Sequence, residues 1–151
     1  MTQLLRVVEM QDIPKLVEIE NQLFGETAWN QALFIDEISR VPSSRWYQLI
    51  SEHDQIVGYV GLAFRGVDAD VQTIAVVPTA QRSGTGAKLL SLALAEAKRR
   101  GVTQVFLEVA VENQPAISLY QKFGFEQISI RPNYYGAGRN AYVMRRKVGD
   151  L

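Results

Sequence analysis

The chain contains no cysteine and a single histidine, His53, among its 151 residues. The first absence excludes a disulfide framework, a thiolate zinc site and a cysteine nucleophile. The second excludes a histidine-rich metal centre, and any serine triad would have to use His53 itself. No bound metal is expected. An excess of one charge is also missing: 16 Lys and Arg balance 16 Asp and Glu. A protein that coats nucleic acid is normally basic, so no nucleic-acid partner is expected. Long apolar runs are absent too, none approaching the ~20 residues that span a bilayer. Residues 1–8 show no basic stretch ahead of an apolar one. Neither a membrane partner nor a secretory leader is expected, and the reading is a cytoplasmic protein.

What is present is a globular composition. Hydrophobic residues make up 47%, the usual share for a chain that buries a core. At about 150 residues per domain, residues 1–151 should form one domain. There is no internal repeat, low-complexity tract or Pro/Gly-rich linker.

The pattern along the chain alternates strand and helix signals. Residues 4–8 read as an opening strand. Asp12, as N-cap, and Pro14 open a first helix carrying Leu16, Ile19 and Leu23, which Gly25 ends. Residues 31–39 form a second helix with Leu33, Phe34 and Ile38 on one side. Residues 46–51 and 55–64 read as a hairpin turning at His53-Asp54, with Trp46 and Tyr47 in the sheet core. Gly58 and Gly61 inside the second strand suggest a bulge or a close approach of other backbone. Residues 71–77 form a strand, and 87–100 a helix with Leu90, Ala93, Leu94 and Ala97 as its buried stripe. Lys98-Arg99-Arg100 reads as its solvated end and Gly101 as its C′ residue. A strand at 103–109, a helix at 113–123 closed by Gly124, and strands at 125–130 and 141–146 complete the chain. The order β-α-α-β-β-β-α-β-α-β-β predicts an α/β fold on one mixed sheet.

Between the strand at 71–77 and the helix at 87–100 lies Gln81-Arg82-Ser83-Gly84-Thr85-Gly86. Strand, glycine-rich loop and helix is a geometry that binds phosphate, because the first helical amides lack acceptors and sit at the positive end of the helix dipole. Arg82 would add a charge-assisted contact. The Walker pattern fails, since Lys88 follows Ala87 and precedes Leu89. The dinucleotide pattern fails at Leu89, where a third glycine is required.

The spacing Gln81-x-x-Gly84-x-Gly86 after Val76-Val77-Pro78 resembles the acetyl-CoA loop of the GNAT superfamily of N-acetyltransferases. Thr73-Ile74-Ala75-Val76 is similar to that family's bulged fourth strand. Leu107-Glu108-Val109, Asn113 and Ala116-Ile117-Ser118-Leu119-Tyr120 resemble the strand and helix that follow, and Phe123-Gly124-Phe125 the Gly-Phe turn. Arg131-Pro132-Asn133-Tyr134-Tyr135 resembles a narrower group, the RimI-type alanine N-terminal acetyltransferases of bacterial ribosomal proteins. The chain departs from that group at Ala28, Ala110 and Asn140, where proline, arginine and an acidic residue are common.

The resemblance implies a GNAT-like fold: a central mixed, mostly antiparallel sheet flanked by about four helices. It implies direct acetyl transfer from acetyl-CoA to an amine in a ternary complex, with no metal and no covalent enzyme intermediate. By position, the amides of Arg82, Ser83, Gly84, Thr85, Gly86 and Ala87 would hold the pyrophosphate. The backbone of Ile74, Ala75 and Val76 would pair with the pantetheine like an added strand. The Val76 amide would donate to the thioester carbonyl, and Asn113 matches a position that contacts CoA. Glu108 matches the RimI-type base and Tyr120 the general acid that protonates the leaving thiolate.

The acceptor is the remaining question. An α-amine has a reference pKa of ~7.7–8.0 against ~10.4 for lysine, a difference worth roughly 3.4 kcal/mol of deprotonation at neutral pH. A single carboxylate base serves the α-amine more easily. The resemblance places a peptide groove at Glu26, Trp29, Tyr134 and Tyr135, with aromatic walls suited to a small first residue and Glu26 suited to a basic second one. The expectation is an N-terminal alanine acetyltransferase acting on a protein such as a ribosomal protein, as a monomer or weak dimer. The alternatives are a GNAT enzyme acting on lysine or a small amine, and a non-catalytic acyl-CoA-binding module.

Overall fold

The computed structural model describes residues 3–149. Its elements are β1 (Gln3–Val7), α1 (Ile13–Phe24), α2 (Gln31–Ile38), β2 (Arg45–Glu52), β3 (Gln55–Arg65), β4 (Asp68–Val76), α3 (Thr85–Arg99), β5 (Gln104–Ala110), α4 (Gln114–Lys122), β6 (Glu126–Arg131) and β7 (Ala141–Lys147). This is the order read from the sequence, with ends shifted by a few residues. The strands form a seven-stranded sheet in the order β1-β2-β3-β4-β5-β7-β6. Pairs β1·β2, β2·β3, β5·β7 and β6·β7 are antiparallel, and β4·β5 is parallel. The parallel pair follows from the crossover through α3, which antiparallel neighbours do not need. Among the described residues no helix is long and apolar enough to cross a membrane.

The chain forms two compact units. The first comprises residues up to Ala63 together with Gln72–Ala93. Leu16, Phe34, Tyr47, Leu49 and Tyr59 are its fully buried centre. The β2–β3 hairpin turns on His53 (φ 52°) and Asp54 (φ 62°). Two successive left-handed residues give the turn whose twist matches the strands it joins. Both glycines of β3 answer to a close approach. A Cβ at Gly61 would stand 2.1 Å from a carbon of the Tyr47 ring, and one at Gly58 would stand 3.0 Å from the Ala75 carbonyl oxygen. The register also slips between Ile50 and Ser51, opposite Gly58. Tyr47 is in the core as expected; Trp46 is only half-buried.

Two readings of this unit need correction. Asp12 precedes α1, but its carboxylate does not cap that helix. A 3-10 turn, Met10–Asp12, runs straight into α1 and gives Asp12 helical backbone angles. Its side chain points back, accepting the Glu9 amide at 2.8 Å and both guanidinium nitrogens of Arg6 at 2.8 Å. Arg6 holds the Asp12 carboxyl below the ordinary range. In α2, Phe34 and Ile38 are buried but Leu33 is 39% exposed. That helix is capped by Asn30, whose side chain accepts the Leu33 amide.

The second unit comprises Phe64–Val71 and the residues from Leu94 onward. In β5, Val105, Leu107 and Val109 are buried and alternate with Phe106, Glu108 and Ala110, the period of a strand with one face inward. Phe125, Met144 and Val148 complete this core. The end of α3 is not simply solvated: the Arg100 guanidinium carbon sits 4.2 Å from the centre of the Phe64 ring, and its Nε donates to Glu96 at 2.7 Å. Aromatic faces attract a cation that can stay partly hydrated.

Candidate active site

The glycine loop is built from the end of β4. Gln81 donates its side-chain amide to the Val76 carbonyl at 3.0 Å, tying the loop to the strand. Arg82 (φ 67°) and Gly84 (φ 84°) are both left-handed, which turns the chain sharply into α3. Ser83 donates its hydroxyl to the Ala80 carbonyl and shares a 2.8 Å hydrogen bond with the Thr85 hydroxyl. These two side chains brace the loop, so any anion contact falls to their backbone. Helix α3 starts at Thr85, earlier than expected, and Lys88 N–H bonds the Gly84 carbonyl at 3.0 Å. The amides of Thr85, Gly86 and Ala87 therefore precede the first amide that has a helical acceptor. A Cβ at Gly84 would meet nothing within 4 Å, so the loop backbone is open at that point. The arrangement fits a pyrophosphate.

Strand β4 supplies a second feature. Its parallel ladder with β5 is paired over Asp68–Asp70. Ile74, Ala75 and Val76 lie beyond that ladder's last pair, the position that strand-like pairing with an extended ligand requires.

In the same unit Glu26 is exposed in a 3-10 turn, Gly25–Thr27. Trp29 is half-buried, and its ring packs 5.1 Å from that of Phe34 against the core cluster. One face of Trp29 is thus committed to packing.

The second unit gathers the other candidates. Glu108 sits on β5 opposite Val143 of β7. Arg131, at the end of β6, donates from Nη1 to Glu108 Oε2 at 3.0 Å. The same guanidinium lies 4.3 Å over the Tyr134 ring, and the Tyr134 and Tyr135 rings meet edge-on at 4.8 Å. Burial, then the neighbouring Glu108 carboxylate, push both tyrosines up to about 12. Tyr120 on α4 is only 7% exposed and packs edge-on against Phe125 at 6.1 Å. Burial raises it well above the ordinary tyrosine value, and Tyr135 adds to that rise. It stays protonated across the neutral range, the state a proton donor needs. Glu108, Tyr120, Tyr134 and Tyr135 are therefore neighbours in one electrostatic cluster.

The loop that carries the two tyrosines is pinned. Asn133 (φ 57°) gives its amide to the Asn140 side chain at 3.0 Å and accepts the Gly138 amide at 2.7 Å. The Tyr135 amide bonds the Arg139 carbonyl at 3.0 Å. Asn113 caps α4, accepting the Ala116 amide at 3.3 Å. Any cofactor contact from Asn113 then falls to its side-chain nitrogen.

The sequence reading missed Arg131 as the partner of Glu108. Arg131 pairs with Ala141, and Ala141 with Ala110, so the side chain reaches diagonally across β7. Only the strand order and register reveal that.

Residues 12–125 match the family model described as the acetyltransferase (GNAT) family. The chain belongs to the GNAT family. It is an N-acetyltransferase, and its acetyl donor is acetyl-CoA. It is 37% identical over 145 residues to the N-alpha-acetyltransferase RimI of Mycobacterium tuberculosis, covering 92% of this chain and 89% of that protein. It is 37% identical over 142 residues to an uncharacterised protein of Mycobacterium leprae, covering 90% of this chain but only 38% of that longer protein. The crystal structure of the ribosomal-protein-S18-alanine N-acetyltransferase of Escherichia coli superposes with a TM-score of 0.87 at 27% identity, covering 97% of this chain and 94% of that one.

Proposed function

We propose that this GNAT enzyme acetylates the α-amine of a protein N-terminus, preferably alanine, on a ribosomal protein such as bS18. The observation that carries the reading is the grouping of Glu108, Arg131, Tyr134 and Tyr135 through one hydrogen bond and two ring contacts. The names of the Mycobacterium tuberculosis and Escherichia coli proteins support it.

Acetyl-CoA supplies the activated acetyl thioester. In this reading the backbone of Arg82, Ser83, Gly84, Thr85, Gly86 and Ala87 binds its pyrophosphate, with the Arg82 side chain and the Asn113 amide as further contacts. The backbone of Ile74, Ala75 and Val76 orients the pantetheine arm, and the Val76 amide donates to the thioester oxygen, where negative charge develops during attack. The Gln81 contact to the Val76 carbonyl ties the next peptide, between Val76 and Val77, to the loop. Glu108 takes a proton from the incoming ammonium, directly or through water. The nitrogen then forms its bond to the acetyl carbon as the C–S bond breaks, Tyr120 gives its proton to the departing sulfur, and the second proton lost by the acylated nitrogen returns to the phenolate through water. The residues assigned to the acceptor peptide in this reading are Glu26, Trp29, Tyr134 and Tyr135.

We read the chain as one catalytic domain, because β4 and α3 each run through both compact units. It acts in the cytoplasm as a monomer or weak dimer, without nucleic acid or membrane.

The test is the pair Glu108→Gln and Tyr120→Phe, alone and combined. Each should lower kcat by ~10²–10⁴-fold, the usual share of a positioned acid or base, and leave acetyl-CoA affinity within twofold of wild type. Unchanged turnover in the double variant would overturn the mechanism.

A further inference from the structure

Glu20 lies on α1 in the first unit and is 1% exposed. A carboxylate this deep is costly unless its oxygens are satisfied. Here both are. Oε1 accepts the backbone amide of Trp29 at 3.0 Å. Oε2 accepts the Tyr59 hydroxyl at 2.7 Å and the Thr73 hydroxyl at 3.0 Å. The donors come from three places: the segment before α2, strand β3 and strand β4. No cation is among these partners, and the proposed chemistry makes no use of Glu20.

What Glu20 joins is informative. Thr73 immediately precedes Ile74, Ala75 and Val76, the residues proposed to hold the pantetheine. Trp29 ends the short segment that begins with the 3-10 turn Gly25–Thr27 and carries Glu26. That segment has few other ties: the Ala28 amide bonds Gly25 and the Thr27 hydroxyl bonds Phe24, both within the segment or next to it. The Trp29 ring packs on Phe34, but ring packing does not set the path of residues 25–28. The hydrogen bond that the Trp29 amide donates to Glu20 fixes where the segment returns to the core.

We infer that Glu20 is a positioning residue that fixes the acceptor-binding segment 25–29 relative to the donor-binding end of β4. This rests on the reading that Glu26 and Trp29 contact the acceptor peptide. A buried ion bonded to three neutral donors is a rigid reference point, since each of its partners would be left unpaired by a shift. A hydrophobic residue here would pack but would not tie a backbone amide to β4. Conserving volume alone therefore does not conserve the function of the position.

The substitutions separate anchoring from filling. Glu20→Ala removes the acceptor for Trp29. Glu20→Gln can keep its oxygen on the Trp29 amide and turn its NH2 toward the hydroxyl oxygens of Tyr59 and Thr73, which are able to accept. With a peptide bearing a free N-terminal alanine, Glu20→Ala should raise the peptide KM at least tenfold and leave the acetyl-CoA KM within twofold. Glu20→Gln should recover most of the loss. An equal rise in both KM values, or an unchanged peptide KM in a folded Glu20→Ala protein, would overturn the inference.

Amide hydrogen exchange judges the anchor without any activity. In Glu20→Gln the neutral acceptor bonds more weakly than a carboxylate, so the Trp29 amide should exchange at least threefold faster. The Val8 amide, bonded to the Tyr47 carbonyl, should not change. An unchanged Trp29 amide would overturn the anchor even if Glu20→Ala fails to fold. If wild-type protein exchanges as described but transfers acetyl to neither an N-terminal amine nor a lysine, the functional reading falls and the anchor stands.

Discussion

Arg131 reaches across strand β7 to hold the Glu108 carboxylate, with Nη1 3.0 Å from Oε2. The proposed base is therefore not a free carboxylate on a strand. It has a fixed partner, and that partner also lies against the Tyr134 ring. A charge-assisted hydrogen bond of this kind fixes the orientation of the carboxylate.

Arg131→Ala should therefore damage catalysis more than stability. The two side chains are 54% and 27% exposed, and exposed ion pairs contribute about 0–1 kcal/mol. The urea midpoint should barely move, while kcat falls roughly tenfold or more as the base loses its orientation. Arg131→Lys should restore part of the loss, since an ammonium keeps the charge but not the planar fork. Parallel denaturation and steady-state kinetics check both statements.

Tyr135 should matter to the peptide and not to the donor. Its amide is pinned to the Arg139 carbonyl, so replacing the ring leaves the loop's main-chain path intact. Tyr135→Ala should raise the peptide KM several times more than the acetyl-CoA KM. Equal changes in the two constants would contradict its assignment.

Two glycines should fail in different ways. Gly84 has φ 84° with open space where a Cβ would go. Gly84→Ala should cost about 1–2 kcal/mol through backbone strain alone and raise the acetyl-CoA KM. A Cβ added at Gly61 would collide with the Tyr47 ring. Gly61→Ala should cost about 1–3 kcal/mol through overpacking and leave both KM values near wild type in the protein that folds. Thermal melts and kinetics on the two variants separate the effects.

Stability should fall away at both ends of the pH range. Burial raises Tyr47, Tyr59 and Tyr120 above their ordinary value. Their contribution is complete below the unfolded tyrosine pKa of ~10 and is lost as pH rises beyond it, because only the unfolded chain ionises easily there. Asp12 is shifted the other way by Arg6. Its contribution is complete above ~3.9 and is lost as pH falls toward the lower folded value. Urea midpoints should decline above about pH 10 and below about pH 4. Tyr59→Phe should reduce the alkaline slope, and Arg6→Gln the acidic one.

The elements themselves were legible because local signals agreed. Gly25, Gly101 and Gly124 end helices with positive φ, and the stripe Leu90, Ala93, Leu94 and Ala97 is buried as its spacing requires. The sharp turn from β4 into α3 was legible in the Gly84-x-Gly86 spacing, while the roles proposed for that loop and for Tyr120 rest on the family resemblance. What escaped was set by distance in the chain. Arg131 meets Glu108 only through the register of two ladders. Glu20 carries no local signal within α1, and its three donors lie 9, 39 and 53 residues away. Arg100 looked like a solvated helix end, because the Phe64 ring that covers it belongs to another element. Asp12 stands at the N-cap position of α1 as read, but its carboxylate serves the preceding 3-10 turn and Arg6 instead, because so short a turn leaves almost no mark in sequence.

The most direct test of the account is to locate the acetyl group. The protein is mixed with acetyl-CoA and two peptides, and the products are mapped by fragmentation mass spectrometry. One peptide begins with free alanine and contains no lysine; the other has a blocked N-terminus and one internal lysine. The account predicts acetylation of the first at its α-amine and none of the second. Acetylation of the lysine peptide alone would contradict it.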